Sequence, residues 1–258
     1  MGYRTTSRIP KIAAAPDNSG IYKALYEEAA QRIGCKLTII RLPKQRLMRM
    51  LNSGEIDFYP GFTFTEKRAE HIHFAINGLP SLNVGLTLAE VREVTDYRQL
   101  EGKTLLLSLG GPVPDGLPQN INFKTPPELN FHTAIEMIVT NKADFFEAEI
   151  AELSYYLKSH PDRERVRFHY HCCGGYQPLL LGFSRQSPLY NSEANPDYRS
   201  SLPLSFKNQT HRSTSDSIAT RFFRALQRMQ EDGSTHALFE EHYGIHPRNF
   251  LDSMVTKE

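Results

Sequence analysis

Residues 20–74 read GIYKALYEEAAQRIGCKLTIIRLPKQRLMRMLNSGEIDFYPGFTFTEKRAEHIHF, and the order of elements in this stretch decides the fold. Ile21, Leu25, Ala29 and Ile33 recur on one helical face; Ser19 is placed to cap that helix and Gly34 to stop it. Residues 36–42, KLTIIRL, are β-branched and alternate as a strand does. Pro43 opens and Gly54 closes a second helix, and residues 56–62, IDFYPGF, make the next strand. With residues 8–15, RIPKIAAA, as a short first strand, the order is β-α-β-α-β. That order predicts a mainly parallel sheet with helices on its faces.

Outward from this stretch the pattern restarts. Residues 81–89 read as a strand, 96–111 as a short helix, a turn and a buried strand, and 120–125 as another strand. A helix over 126–142 leads into a strand at 143–150 and a helix after it. Residues 165–171 and 177–185 are further strands, the second strongly apolar, and 190–212 carry no clear pattern. The chain closes with two helices, the first bearing Ile218, Phe222, Ala225, Leu226 and Met229 on one face before Gly233. Two α/β units with a helical tail predict two lobes with a ligand cleft between them: lobe 1 from residues 1–80 and 180–258, lobe 2 from 81–179. The chain is expected to cross between them near Leu79–Asn83 and again near Gly174–Pro178, with the tail braced on the first lobe.

Composition narrows the partners. The 258 residues carry 30 Lys+Arg against 29 Asp+Glu, so net charge gives no reason to expect nucleic acid or an anionic membrane. No apolar run approaches the ~20 residues of a spanning helix. The opening residues lack the apolar core of a leader, which fits a cytoplasmic protein or one whose leader has been removed. Three cysteines are not a disulfide framework. Cys35 is expected as a buried free thiol; Cys172 and Cys173, in HYHCCGG, leave a vicinal disulfide open. Their spacing with His169 and His171 does not match the usual zinc patterns, so neither metal nor cofactor is expected.

Residues 20–74, together with LEGKTLLLSLGG, NKADFFEAEIAELSYY and MQEDGSTHALFEEHYG, resemble the bacterial extracellular solute-binding proteins of family 3, the polar amino-acid type. The resemblance runs over residues 9–245. It implies the two-lobed type II periplasmic binding protein fold, a periplasmic or extracellular location and monomeric capture of an amino acid or related carboxylate. It also implies delivery to an ABC-type membrane permease or a receptor.

The same resemblance implies a site. The positions matching Gly61, Thr63 and Arg68 grip a carboxylate, and the chemistry agrees. Glycine admits a ligand close to the backbone, Thr63 and Thr65 share one side of a strand, and an arginine fork matches a carboxylate bidentately. From the residues alone, an exposed loop with a surface arginine is the alternative. Counting from Asp144, the family's ammonium-binding acid falls on Glu149, which otherwise reads as a helix N-terminal acid. Three departures from the family stand out: AAAPDNSG lacks the aromatics of the first loop, Lys44 replaces a stacking aromatic, and Gly110-Gly111-Pro112 replaces a hydroxyl-bearing helix start. Gly111 therefore stands for the second-lobe contact, and Tyr22, Lys44 and Arg46 are candidate replacements for ligand binding, each equally readable as part of a helix face. Two other functions stay open. One is a dehydratase-like enzyme with Glu149 as general acid; the other is the ligand-sensing domain of a membrane receptor.

Overall fold

The computed structural model describes residues 1–5, 7–107, 113–127, 129–173, 179–244 and 246. The chain divides into two units, one made of Met1–Pro80 with Pro178–His246, the other of Ser81–Gln177. The expected second crossover, Gly174–Pro178, lies outside the described residues.

The first unit begins with β1 (Gly2–Arg4), α1 (Ile21–Gln31), β2 (Ile40–Leu42), α2 (Lys44–Ser53), β3 (Phe58–Phe62), the single-turn α3 (Glu66–Ala69) and β4 (Ile72–Ile76). The second unit holds β5 (Asn83–Leu88), β6 (Thr104–Leu106), β7 (Asn122–Lys124), α4 (Phe131–Val139), β8 (Phe145–Glu149), α5 (Ile150–Leu157) and β9 (Val166–His169). The chain then returns to the first unit with β10 (Leu180–Ser184), β11 (Ser192–Ala194), β12 (His211–Ser213), α6 (Ile218–Glu231) and α7 (Ser234–Tyr243).

The mainly parallel expectation is corrected to a mixed arrangement. Among the described residues of the first unit only β1 and β2 pair in parallel; β10 inserts between β3 and β4, antiparallel to both. In the second unit the order is β7-β6-β8-β5-β9, with β6 parallel to β7 and β8 but β5 antiparallel to β8 and β9.

Local physics explains the other differences. Residues 8–15 form no strand; the first strand is Gly2–Arg4. Arg8 and Ile12 instead exchange backbone hydrogen bonds across a turn, because Pro10 has no N–H to give to a ladder. That turn performs the capping expected of Ser19. Ile21 N–H donates to the Pro10 carbonyl at 3.0 Å and Tyr22 N–H to the Lys11 carbonyl at 3.4 Å, while the Ser19 hydroxyl donates to Asp17. The strand expected over 36–42 shrinks to Ile40–Leu42, so Cys35 lies outside the sheet and is partly exposed rather than buried. Within 190–212, β11 and β12 pair antiparallel.

The first unit's core is aromatic. α1 buries Ile21, Tyr22, Leu25, Tyr26, Ala29 and Ala30 at helical spacing. α6 sets Ala219, Phe222, Ala225, Leu226 and Met229 against it, with the Phe222 ring 5.2 Å from that of Phe58 and 6.1 Å from that of Tyr26. β10 is buried throughout, and a Cβ on Gly182 would stand 2.1 Å from the Phe62 ring; glycine there lets Phe62 lie across the strand. Outer strand β4 is finished by a side chain: Gln209 Nε2 donates to the Phe74 carbonyl at 2.8 Å, and Phe74 N–H donates to Gln209 Oε1 at 2.9 Å.

His73, on β4, stacks on Phe223 at 5.2 Å and tilts against Tyr190 at 5.4 Å. Burial, reinforced by the Arg185 charge, lowers its pKa from 6.5 to about 4. The unfolded chain binds this proton below pH 6.5 and the folded chain does not. Stability is therefore intact above pH 6.5 and falls as pH drops from 6.5 toward 4, by about 3 kcal/mol at the limit. Urea denaturation of wild type and His73→Phe at pH 7 and pH 5 checks this. The variant should lose less stability on acidification, and equal losses would refute it.

Candidate ligand-binding site

The carboxyl ends of the first unit's strands carry its chemistry. β1 ends in Arg4, which is in register with Leu42 at the end of β2. Pro43 follows and Lys44 opens α2, so Arg4 and Lys44 lie at the same end of the pair. β3, which lies against β1, ends in Gly61 and Phe62. The loop before α1 is drawn onto β1 and β2 by Arg41, which donates to Asn18 at 2.7 Å, to the carbonyls of Arg4 and Ala13 at 3.2 and 2.8 Å, and to the Asp17 carbonyl. Its guanidinium also covers the Tyr3 ring at 5.4 Å.

Gly61 adopts φ +69°, a left-handed conformation that disfavours a side chain, and a Cβ there would stand 2.2 Å from the Tyr22 hydroxyl oxygen. Arg68 Nη1 donates to the Thr63 carbonyl at 2.8 Å and to Thr63 Oγ1 at 3.0 Å, and the guanidinium lies over the Phe62 ring at 5.1 Å. The structure thus brings Gly61, Tyr22, Thr63 and Arg68 into one group. The expected pairing of Thr63 with Thr65 fails because β3 stops at Phe62. Thr65 caps α3, its hydroxyl accepting from Arg68 N–H at 3.3 Å.

Lys44 joins this group. Its side chain reaches solvent, yet partial desolvation, and then the charges of Arg4, Arg68 and Arg8, hold its ammonium below the usual lysine pKa. Tyr59 is buried and feels the charges of the same three arginines. Its pKa rises through burial, with the arginines opposing. Arg46 is exposed on α2 and is not among the charges acting on Lys44 or Tyr59. Arg4, Arg8 and Tyr59 were missed in the sequence because no local pattern marks a convergence of separate elements.

In the second unit, Glu149 ends β8 opposite Asn83 and caps α5, its carboxylate accepting from Ala151 N–H at 3.1 Å and Glu152 N–H at 3.0 Å. Glu147, unremarked in the sequence, accepts from Tyr97 Oη at 2.5 Å and Asn83 Nδ2 at 2.9 Å; burial raises its pKa against both hydrogen bonds. His169 is committed to structure, one ring nitrogen 2.7 Å from the Thr87 hydroxyl and the other accepting from Val94 N–H at 3.0 Å. Cys172 and Cys173 are buried free thiols with sulfurs 2.6 Å apart. Among the described residues, no cluster of three or more His, Cys, Asp or Glu is arranged to hold a metal. Gly111 lies outside the described residues.

The signature of the bacterial extracellular solute-binding proteins, family 3, matches residues 10–245. No curated protein sequence matches. Among solved structures, an ancestral cationic amino acid solute binding protein superposes with a TM-score of 0.64 at 16% identity, covering 94% of this chain and 93% of that one. The GluR0 ligand-binding core from Nostoc punctiforme, in complex with L-glutamate, gives 0.64 at 14% identity over 95% and 98%. The arginine-, lysine-, histidine-binding protein ArtJ from Geobacillus stearothermophilus gives 0.61 at 15% identity over 97% of each chain. At such identities the likeness shows the fold, which is that of the type II periplasmic binding proteins.

Replacing Gly61 with Ala should cost about 1–2 kcal/mol from the left-handed backbone alone, plus the collision with Tyr22. Adding Tyr22→Phe removes the colliding hydroxyl. Thermal melts of the two single variants and the double variant should therefore show the double variant less destabilised than the sum of the singles.

Proposed function

From its membership of the bacterial extracellular solute-binding proteins, family 3, we propose that this chain captures a small carboxylate-bearing molecule, most simply an amino acid, for ABC-type uptake or sensing. The observation that carries this reading is the Arg68 guanidinium. It is fixed by two hydrogen bonds to Thr63, beside a glycine whose left-handed backbone lies close against the Tyr22 hydroxyl. A planar fork held in place loses little entropy on meeting a carboxylate. On this reading the protein acts outside the cytoplasm as a monomer. The second unit closes on ligand held by the first, and the closed form is what a permease or receptor recognises.

Glu149 fits a binding protein better than an acid catalyst. Both of its carboxylate oxygens accept from the first N–H groups of α5, the work of a helix cap.

Arg68→Ala should weaken ligand binding by roughly 2–5 kcal/mol, the cost of removing one partner from a desolvated charged pair. The apo protein should melt near the wild-type temperature. Calorimetric titration with an amino-acid panel is the measurement. Unchanged affinity for every binder would overturn the clamp.

A further inference from the structure

Six buried side-chain polar atoms among the described residues find no hydrogen-bond partner. Three of them, His73 Nδ1, Arg185 Nε and Tyr190 Oη, meet on one face of the β4–β10 pair. His73 is in register with Phe183, and the ladder runs on past β10, Arg185 N–H donating to the His71 carbonyl at 2.9 Å. Arg185 therefore stands diagonally across from His73 on the same side of the sheet, two residues beyond Phe183. Tyr190 closes over them, its ring 5.4 Å from that of His73 and 6.1 Å from that of Phe183. Phe223 lies 5.2 and 5.6 Å from the same two rings. This is the side of β4 opposite Ile72 and Phe74, which pack into the core with Tyr59 and Phe62.

Arg32, Arg165 and Arg212 each pair with an acid at 2.6–2.8 Å. Arg185 is half-buried among these rings, and among the described residues no acid acts on it. Burial lowers its pKa, opposed by Tyr190. A guanidinium drawn out of water needs a counter-ion, and a buried donor without a partner forfeits the hydrogen bond it made to water. Tyr190 does not supply the charge at neutral pH. Burial, against the pull of Arg185 and Ser192, pushes its pKa up to about 12, so its hydroxyl keeps its proton and donates. A bridging water would meet the donors and leave the charge unmatched. We propose that Arg185 and Tyr190 hold a small monovalent anion, of the size of chloride or formate, beside His73. Arg185 supplies the charge and its Nε–H, Tyr190 its hydroxyl, and the closely spaced rings of Phe183 and Phe223 limit the anion to a few heavy atoms. The site is independent of the carboxylate-capture reading above.

Thermal melts at pH 7 in sodium chloride, sodium formate and sodium gluconate test it, at equal ionic strength so that screening cancels. Broadening of the chloride NMR line gives a direct measure of binding. Wild type should melt higher in chloride or formate than in gluconate, whose anion is too large for the site, and should broaden the chloride line. Arg185→Gln should abolish both effects. In gluconate, Tyr190→Phe should melt at or above wild type, because it deletes a buried hydroxyl that has no partner. In the stabilising anion it should melt below wild type, with the anion held about tenfold more weakly. A merely structural tyrosine would lower the melting temperature equally in every salt, which would overturn the inference. Lys158→Gln, an equal loss of charge at an exposed position, should keep the full anion response. Should Arg185→Gln not fold, the reversal of Tyr190→Phe between salts decides alone. If wild type melts alike in the three salts and leaves the chloride line unbroadened, the inference fails. If the response survives Arg185→Gln, it comes from an adventitious ion only, and the inference fails as well.

Discussion

Strand β10 holds the first unit together. Its five residues, Leu180 to Ser184, are all buried and pair with β3 on one side and β4 on the other. Without it β3 and β4 have no common partner, since they do not pair with each other. Gly182 at its centre lets the Phe62 ring cross, and Phe62 in turn underlies Arg68. One inserted strand therefore connects the aromatic core to the arginine. It also makes the unit discontinuous: residues 1–80 cannot complete their sheet until the chain has passed through Ser81–Gln177 and returned. Contacts so distant in sequence are slow to form, because loop-closure entropy must be met before the pairing repays it.

Charge is the second constraint. A protein with nearly balanced charge has concentrated cations at the ends of β1, β2 and β3. Arg41 is not one of them, although it lies close in sequence. Its donors are used on carbonyls and on Asn18, and it holds the loop of residues 13–18 in place. Neighbouring arginines thus divide the labour. Arg41 is saturated and builds the rim, while Arg68 is engaged through a single guanidinium nitrogen.

The helices were legible because burial and periodicity agree. Leu47 and Leu51 are the only buried residues of α2, one turn apart on an otherwise basic helix, and that spacing is visible in the sequence. The strands of the first unit were harder. RIPKIAAA looks like an apolar strand but contains a proline that interrupts a ladder, while the true first strand, Gly2–Arg4, is three residues long and too short for a pattern. The clamp residues could be found because Gly61, Thr63 and Arg68 follow one another on a single segment. Arg4 and Arg8 could not, because their meaning depends on a meeting with Lys44 and Arg68 that only the tertiary fold creates. Thr65 shows the reverse error. Read by alternation it belongs to a strand; as a threonine followed by an acid in the first turn it carries the mark of a helix start, and the cap is what forms.

Gln209 carries a consequence for how the protein behaves in a crowd. A strand edge with open N–H and C=O groups is a template on which a second chain can lay itself, and residues 72–76, IHFAI, are mostly apolar. Gln209 meets both backbone groups of Phe74 and is anchored itself, its Nε2 reaching the Phe206 carbonyl and its own carbonyl accepting from Asn195. The irregular stretch from 195 to 209 thus works as a guard rail on that edge. With both backbone groups of Phe74 already met, the native molecule is shielded from edge-to-edge association at that position, whatever the concentration of its neighbours.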